Sequence, residues 1–586
     1  MQLPEQVGAL VLDTETTGLD KMRDTPFLLS GMADGKPFWA RIDKKVIRWL
    51  SDVMLKADVV AFHNAKYDLH MLSNVGLSEA TIRASNIHCT QVGQFLVNDN
   101  EPSYHLDDLG TKYFKMPKEG DELWRWLADH FGSKPDRVHQ IARISKAPIE
   151  LVAKYAARDV EITARLLDMQ LAEYDKQDLW RIADLEREVT KVLVFMERRG
   201  VPFNAPGVRP ARAALARLMT KTEKAFVDEL GWMPNVRSSR DLEKMFKQLS
   251  LVYETTEAGN GSFAKEALEG VDHPLVSGIL RLRTLRVLNE TFLDRLESWV
   301  YPDGRIRCDF NQTKTQDYGV RTGRLSASNP NLQQIPSPKR KEELAEFIRG
   351  LFAAEVGQSW SCCDWSQMDF RVFAHYTQSP KLIGALQANA KADYHQMVAG
   401  LTGLARNPFA KQLNLGLVFG MGEGLMAKKC KLPYRVETSN GRESIYAGSE
   451  AKEVFGRYHE ALPEVRPLLN RAAATARSRG YVKTVYGQRM RFPNPKFCYK
   501  AAGYVFQGTA ANLMKKKLVD LDREFNGTDV ELLVPVHDEF NFVAPKEIMK
   551  STNKRIVEIM QDVPELNVPV YAEMGTGKNW YEASKG

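Results

Sequence analysis

The stretch ELLVPVHDEFNFVA, from Glu531 to Ala544, restricts more than any other what this chain can fold into. Apolar residues on both sides of it ask for buried strands. His537, Asp538 and Glu539 interrupt them, and adjacent carboxylates between buried strands repel each other and lose hydration. The segment therefore reads as two short strands with the polar trio at their junction. Two explanations meet there: a solvated hairpin turn, or a tip that receives a metal or a charged substrate.

The rest of the chain has room for either. Its 586 residues suffice for three or four units of ~150 residues each. Hydrophobic residues make up 44% and charged residues 26%, which is ordinary for a globular protein and excludes a low-complexity chain. No apolar run approaches the ~18 residues that span a bilayer. The start, MQLPEQVGALVLDTE, lacks the basic and small-residue pattern of a signal peptide. None of the six cysteines forms a C-x-x-C pair, and Cys362 and Cys363 are adjacent, which suits neither a zinc knuckle nor a disulfide between them. A reducing, cytoplasmic setting without membrane contact is expected. The net charge of +7 permits a polyanionic partner.

Along the first ~180 residues, strand-like and helix-like runs alternate, beginning with VGALVLDTETTG. The stretch LEREVTKVLVFMERRGVPFN then has helical spacing and a Gly-Val-Pro stop. A boundary near residue 180 divides a small α/β domain, 1–180, from a large α+β domain, 181–586.

In VLDTETTG, Asp13 and Glu15 lie two apart on a strand, hence on one face, a geometry that suits hard cations. FHNAKYDLHML supplies Asp68 four residues after Asn64, as if on one helix face, and YAARDVEIT supplies Tyr155 and Asp159, again four apart. Singly, each pattern is equally a turn, a cap or an ordinary helix face. Together and in this order they resemble the DEDD 3′–5′ exonucleases of the tyrosine-bearing subclass, over about residues 7–175. The resemblance implies an RNase H-like fold. It also implies that Asp13, Glu15, Asp68 and Asp159 hold two divalent ions about 4 Å apart, with Tyr155 orienting the attacking water.

Further along, SCCDWSQMDFRVFAH carries Asp364, and RNPFAKQLNLGLVFGMG carries Asn407, Lys411, Leu415 and Phe419 at four-residue spacing, one helical stripe. A lysine in an otherwise apolar stripe is unusual for a core face. DWSQMDFR, KQLNLGLVFG and HDE resemble motifs A, B and C of the family A DNA polymerases, the polymerase I group. TGRLSASNPNLQQIP, QGTAANLMKK and GTGKNWYEA match further family segments, so that the resemblance covers about residues 183–586. It implies a right-hand fold with thumb near 190–300, palm near 301–390 and 490–586, and fingers near 391–489.

By this resemblance Asp364, Asp538 and the Trp365 carbonyl would hold two Mg²⁺ ions, with Mn²⁺ as a substitute, and Glu539 would support them. His537 would touch the primer terminus. Lys411 would contact the triphosphate and act as a general acid, beside His395 and Gln367. Arg324 and Gln507 would read the minor groove. Basic helices beyond residue 230 would hold backbone phosphates. The implied activity is template-directed DNA synthesis with proofreading by a monomer. Its partners would be primer-template DNA and dNTPs, with a replicative helicase, primase or single-strand-binding protein beside them. The setting would be a bacterial or phage-infected cell.

Several positions depart from the family. Asp369 stands where Glu is usual, so looser ribonucleotide exclusion is expected unless Trp365 or Phe419 fills the space. Leu415 stands where Phe or Tyr is commonest, which predicts poor use of dideoxynucleotides. Asn407 replaces a triphosphate-binding Arg four residues before the motif lysine. The neighbouring Arg406 reaches the same phosphate only if the helix start is irregular. Gly503 and Tyr499 replace an Asn and an Arg, and LPYRVETSNGRESIYAG resembles an insertion in the fingers. The first strand starts by residue 7, so no 5′-nuclease domain is expected before it, as in the compact replicative enzymes of bacteriophages. The alternatives are a 3′–5′ exonuclease whose second half only grips DNA, a non-catalytic scaffold, and a polymerase that prefers RNA or ribonucleotides.

Overall fold

The computed structural model describes residues 3, 7–117, 120–255, 259–313, 321–418, 421–439 and 442–585. In the N-terminal unit, strands β1 (Ala9–Thr16), β2 (Pro26–Ala33), β3 (Lys36–Arg41), β4 (Val59–Phe62) and β5 (Ile87–Cys89) form one sheet in the order β3-β2-β1-β4-β5. β1 runs antiparallel to β2 and parallel to β4, so it is central. Leu10, Val11 and Leu12 are all buried because both faces of the sheet are covered, which explains a nearly continuous apolar run in place of strict alternation. Helix α1 (Ala65–Asn74) follows β4, and the long helix α2 (Ile149–Gln177) packs across β1 and β2.

Helix α3 (Trp180–Arg199) begins after two intervening residues. It is apolar on more than one side and belongs to two cores. Val194 and Phe195 pack with the N-terminal sheet, whereas Val189, Val192, Leu193 and Met196 pack with the C-terminal unit. Glu197 on the same helix is buried and accepts from His70 Nε2 at 2.8 Å and from the Phe310 N–H at 2.7 Å. Lys21 and Lys66 also pair with it. A second buried pair, Glu186 with Lys515, ties α3 to the C-terminal unit.

The helical region 208–298 has its own small core, around Phe226, Leu242, Phe246 and Leu282. Here Arg283, in the basic run RLRTLR, donates to the carbonyls of Val236 and Phe263, both at 2.7 Å. That arginine serves the local fold.

The C-terminal sheet contains β6 (Gln358–Trp365), β7 (Glu531–Val536), β8 (Glu539–Pro545) and β9 (Ala572–Gly577), in the order β7-β8-β6-β9 and antiparallel throughout. The expected hairpin is β7-β8. Its register shifts between Leu532 and Pro535, as suits a proline that brings no N–H to an edge strand. Trp360 and Trp580 stack beneath the sheet with centroids 6.0 Å apart, and Trp360 Nε1 donates to Asn541 at 2.9 Å.

The segment 394–479 is mainly helical. It includes α4 (Tyr394–Thr402), a π-helical turn over Arg406–Ala410 and α5 (Lys411–Val418). The stretch read as an insertion forms an antiparallel hairpin, Tyr434–Ser439 with Arg442–Ala447. Helix α6 (Ala501–Phe525) packs against α3. All six cysteines are buried and unbridged. No described helix is long and apolar enough to cross a membrane.

Candidate active sites

β1 carries Asp13, half-buried, and Glu15, buried, on one face. Asp68 lies in the first turn of α1 and is 3% exposed. Its Oδ1 accepts from the Thr14 N–H at 3.1 Å and from Thr14 Oγ1 at 2.7 Å, which fixes it beside β1. Burial pushes the Asp68 carboxyl up to about 7, against the pull of the Thr14 bonds. Asn64 does not share a helix face with Asp68. It is the N-cap of α1 in a left-handed conformation, φ 61°, outside the helical repeat.

Tyr155 and Asp159 are one turn apart on α2, both buried. Burial raises the Tyr155 hydroxyl above its usual range, and the charges of Asp159, Glu15 and Asp13 add to it. The fields of those three acids thus reach one phenol. Trp124 holds the Tyr155 ring edge-on, with centroids 5.1 Å apart. A cavity of about 320 Å³ opens beside Tyr155, lined also by Leu123, Leu151 and Lys154.

The second acid set is assembled by strand register. Asp364, next to last in β6, pairs directly with Glu539, first in β8. The Trp365 N–H donates to the Asp538 carbonyl at 3.1 Å. The turn residue His537 has φ 58°, the left-handed geometry of a tight hairpin tip. Burial pushes the Asp538 carboxyl up to about 7, and the negative charges of Asp369 and Asp364 add to this against Arg324. Arg324 donates to Asp369 at 2.8 Å and lies 4.0 Å from Asp538. Glu539 Oε1 accepts from Trp580 Nε1 at 2.9 Å and Asn541 Nδ2 at 2.8 Å, so this acid is tied to the structure behind the turn. The Trp365 indole donates to the Met560 carbonyl at 2.7 Å and is buried, so it does not fill the space beside Asp369. Gln507 is half-buried on α6.

Gln367 adopts φ 56° at the start of the helix after β6, and its Oε1 accepts from the Tyr394 N–H at 2.8 Å. That bond joins the sheet to α4, where His395 is buried against Phe370. His395 Nδ1 lies 3.1 Å from Asn414 Nδ2 on α5. Burial lowers the His395 pKa, and the charges of both Arg406 and Lys411 act on it. The expected four-residue stripe does not run through. The π-turn over 406–410 changes the repeat between Asn407 and Lys411, because it is closed by i→i+5 bonds. The readings placed on Phe419 and on the side chains of Asn407 and Leu415 lie outside the described residues. Sequence reasoning missed Asp393, which pairs with Arg406 at 2.6 Å, and Lys515 and Gln333, which line the small cavity below His537 and Asp538. Asp393 had one signal, its place two residues before His395; Lys515 and Gln333 had theirs in QGTAANLMKK and TGRLSASNPNLQQIP, the stretches matched to the family.

Both acid sets offer oxygen donors alone, which suit a hard divalent cation such as Mg²⁺. Among the described residues no three His, Cys, Asp or Glu side chains are drawn together into a ready-made cage. The raised carboxyls of Asp68 and Asp538 mark places where added positive charge is favourable, so the donor sets fit the ions that the resemblance implies.

A family model described as DNA polymerase family A matches residues 207–582. The chain belongs to that family. A model described as 3′-5′ exonuclease matches residues 1–172. The protein is thus a DNA polymerase with an exonuclease domain in front. It is 33% identical to the DNA polymerase DpoZ of Salmonella phage PMBT28, over 99% of this chain and 98% of that one. It is 32% identical to the DpoZ of Acinetobacter phage SH-Ab 15497, with the same coverage. The thermostable DNA polymerase I of Thermus aquaticus is 31% identical over 80% of this chain and 56% of its own. Among solved structures, the POL domain of Pol1 from M. smegmatis, in complex with DNA primer-template and dNTP, superposes with a TM-score of 0.79. At 22% identity over 98% of this chain and 96% of that one, this likeness speaks for the fold of the polymerase.

Proposed function

We propose that the enzyme extends a primer at Asp364 and Asp538 and removes mispaired 3′ ends at Asp13, Glu15, Asp68 and Asp159. The observation that carries this reading is the register of β6 against the β7-β8 hairpin, which sets Asp364 beside the Asp538 turn. Two half-buried carboxylates so placed repel each other, and a cation pair relieves that repulsion. When bound, Mg²⁺ or Mn²⁺ would lower the pKa of the primer hydroxyl and neutralise the triphosphate.

The remaining work falls to this chain's own groups. Lys411 offers an ammonium to the triphosphate and a proton to the departing pyrophosphate. His395, held by Asn414, is oriented for a phosphate oxygen. His537 meets the primer terminus, and Arg324 and Gln507 bind the minor groove. For Arg324 this means leaving Asp369. In the exonuclease site Tyr155 orients the water. The palm, fingers and thumb divide as read from the sequence, with α4, α5 and the 434–447 hairpin in the fingers.

The test is extension of a labelled primer with Mg²⁺, with and without dNTPs, beside Asp538→Ala and Asp13→Ala. The reading requires that Asp538→Ala lose extension alone and Asp13→Ala lose shortening alone. A wild type that degrades primer without extending it would leave only the exonuclease.

A further inference from the structure

Asp99 belongs to the exonuclease domain, yet its carboxylate is bound by the polymerase domain. It lies two residues beyond the helix Thr90–Val97 and is 2% exposed. Its Oδ2 accepts from Arg321 Nη2 at 3.1 Å. Its Oδ1 accepts from the Arg491 N–H and from Arg491 Nη1, both at 3.2 Å. Arg321 also donates to the Arg491 carbonyl at 2.6 Å, which closes a triangle of one acid and two arginines. Arg491 Nη2 reaches back to Gln177 Oε1, at the end of α2, at 2.6 Å and to the Leu96 carbonyl at 3.1 Å. A buried carboxylate shared by two guanidiniums is a firm anchor, because charge-assisted bonds are strong and water is kept from them.

What this anchor holds is the approach to Arg324. Arg321 and Arg324 are three residues apart, roughly 10 Å of chain at the most. The chain between them is fixed as well. Thr322 is buried, and Gly323 turns at φ 79° above the Gln488 side chain, where a Cβ would stand 2.8 Å from Nε2. Gln488 is itself buried and accepts from Asn512 Nδ2 on α6 at 2.7 Å. The Arg321 guanidinium lies 5.4 Å from the centre of the Tyr504 ring, and Tyr504 stands one turn before Gln507 on α6. Arg321 is thus a neighbour of both groups proposed for the minor groove, of Arg324 along the chain and of Gln507 along the helix.

We infer that Asp99 is a positioning residue for DNA synthesis: from the exonuclease domain it fixes Arg321, and with it the turn that aims Arg324 at the primer end. The inference rests on the proposed role of Arg324. It makes the polymerase site depend on a group of the other domain. Without Asp99, Arg321 and Arg491 remain as neighbouring like charges whose repulsion displaces the turn.

The experiment measures extension by the full chain on primer-template DNA with a paired or a mispaired 3′ end. A phosphorothioate at the terminal linkage slows shortening during the assay. Asp99→Ala, Asp99→Asn, Arg324→Ala and the double variant with both alanines are compared. Shortening of single-stranded DNA and the thermal midpoint report on folding. Asp99→Ala should lower kcat/KM on the paired end roughly 10-fold, the scale of one lost charge-assisted bond, and weaken the preference for paired over mispaired ends. Shortening should stay near the wild-type rate. Asp99→Asn keeps an acceptor oxygen for the arginines and should recover part of the loss. The double variant should be no worse than Arg324→Ala, because both changes act through one group. Losses that multiply in the double variant, or an Asp99→Ala enzyme with unaltered preference, would confine Asp99 to joining the domains and overturn the inference while the role of Arg324 stands. Arg324→Ala with wild-type extension and preference would refute the role of Arg324 itself, and the inference with it.

Discussion

Glu197 is the place where one substitution should loosen the whole enzyme. Its carboxylate is 2% exposed and receives four donors: Lys21, Lys66, His70 Nε2 and the Phe310 N–H. Lys21, Lys66 and His70 come from the exonuclease domain, Glu197 from α3 and Phe310 from the polymerase domain. In Glu197→Ala the His70 nitrogen and the Phe310 N–H stay buried without this acceptor, at about 1–3 kcal/mol each. The side chains of Lys21 and Lys66 are 24% and 14% exposed, so they recover part of their loss in water. The sum is about 3–5 kcal/mol, the range for a broken buried ion pair. Urea unfolding, with exonuclease activity reporting the N-terminal domain, measures it. Two lysines and His70 outweigh burial and hold the Glu197 carboxyl well below 4.5. A depressed carboxyl stabilises fully above its unfolded pKa, and that contribution fades as pH falls through the folded value. The gap between wild type and variant should therefore be flat over about pH 5–8 and close only in acid. A loss under about 1 kcal/mol, or a gap that closes near neutrality, would refute the reasoning.

Other consequences are open to measurement. Glu186→Ala strands Lys515, which is 1% exposed, and should cost about 3–5 kcal/mol, whereas a paired Glu186→Gln, Lys515→Met variant should recover much of it; urea midpoints decide. Asp369→Glu lengthens the acid that pairs with Arg324 and, on the proposed reading of this site, should lower the ratio of rNTP to dNTP incorporation at least severalfold; an unchanged ratio places ribose exclusion elsewhere. Gly424 packs against the hairpin of Tyr434–Ser439 with Arg442–Ala447 so closely that a Cβ would stand 1.8 Å from the Ile445 carbonyl oxygen. Gly424→Ala should therefore push the hairpin away at about 1–3 kcal/mol and expose residues 434–447 to limited proteolysis. Equal proteolysis of variant and wild type would mean that the hairpin yields without cost.

The sequence alone determined the order of the two domains and the polymerase family and singled out the two acid sets, because these rest on short segments whose residue types and spacing are local. DTE at the end of an apolar run and HDE between two apolar runs are legible without coordinates. Local spacing also misled where the backbone left its regular repeat. Asn64 looked like a helix neighbour of Asp68 but caps the helix from outside it. Asn407 looked like the residue above Lys411, but a π-helical turn over Arg406–Ala410 breaks the four-residue repeat between them. What only the tertiary structure decided are the partnerships between distant segments: Asp364 with the Asp538 turn, Arg324 with Asp369, Asp393 with Arg406, and Glu197 with both domains. Each depends on sheet register or helix packing, where a displacement of one residue changes which side chains meet.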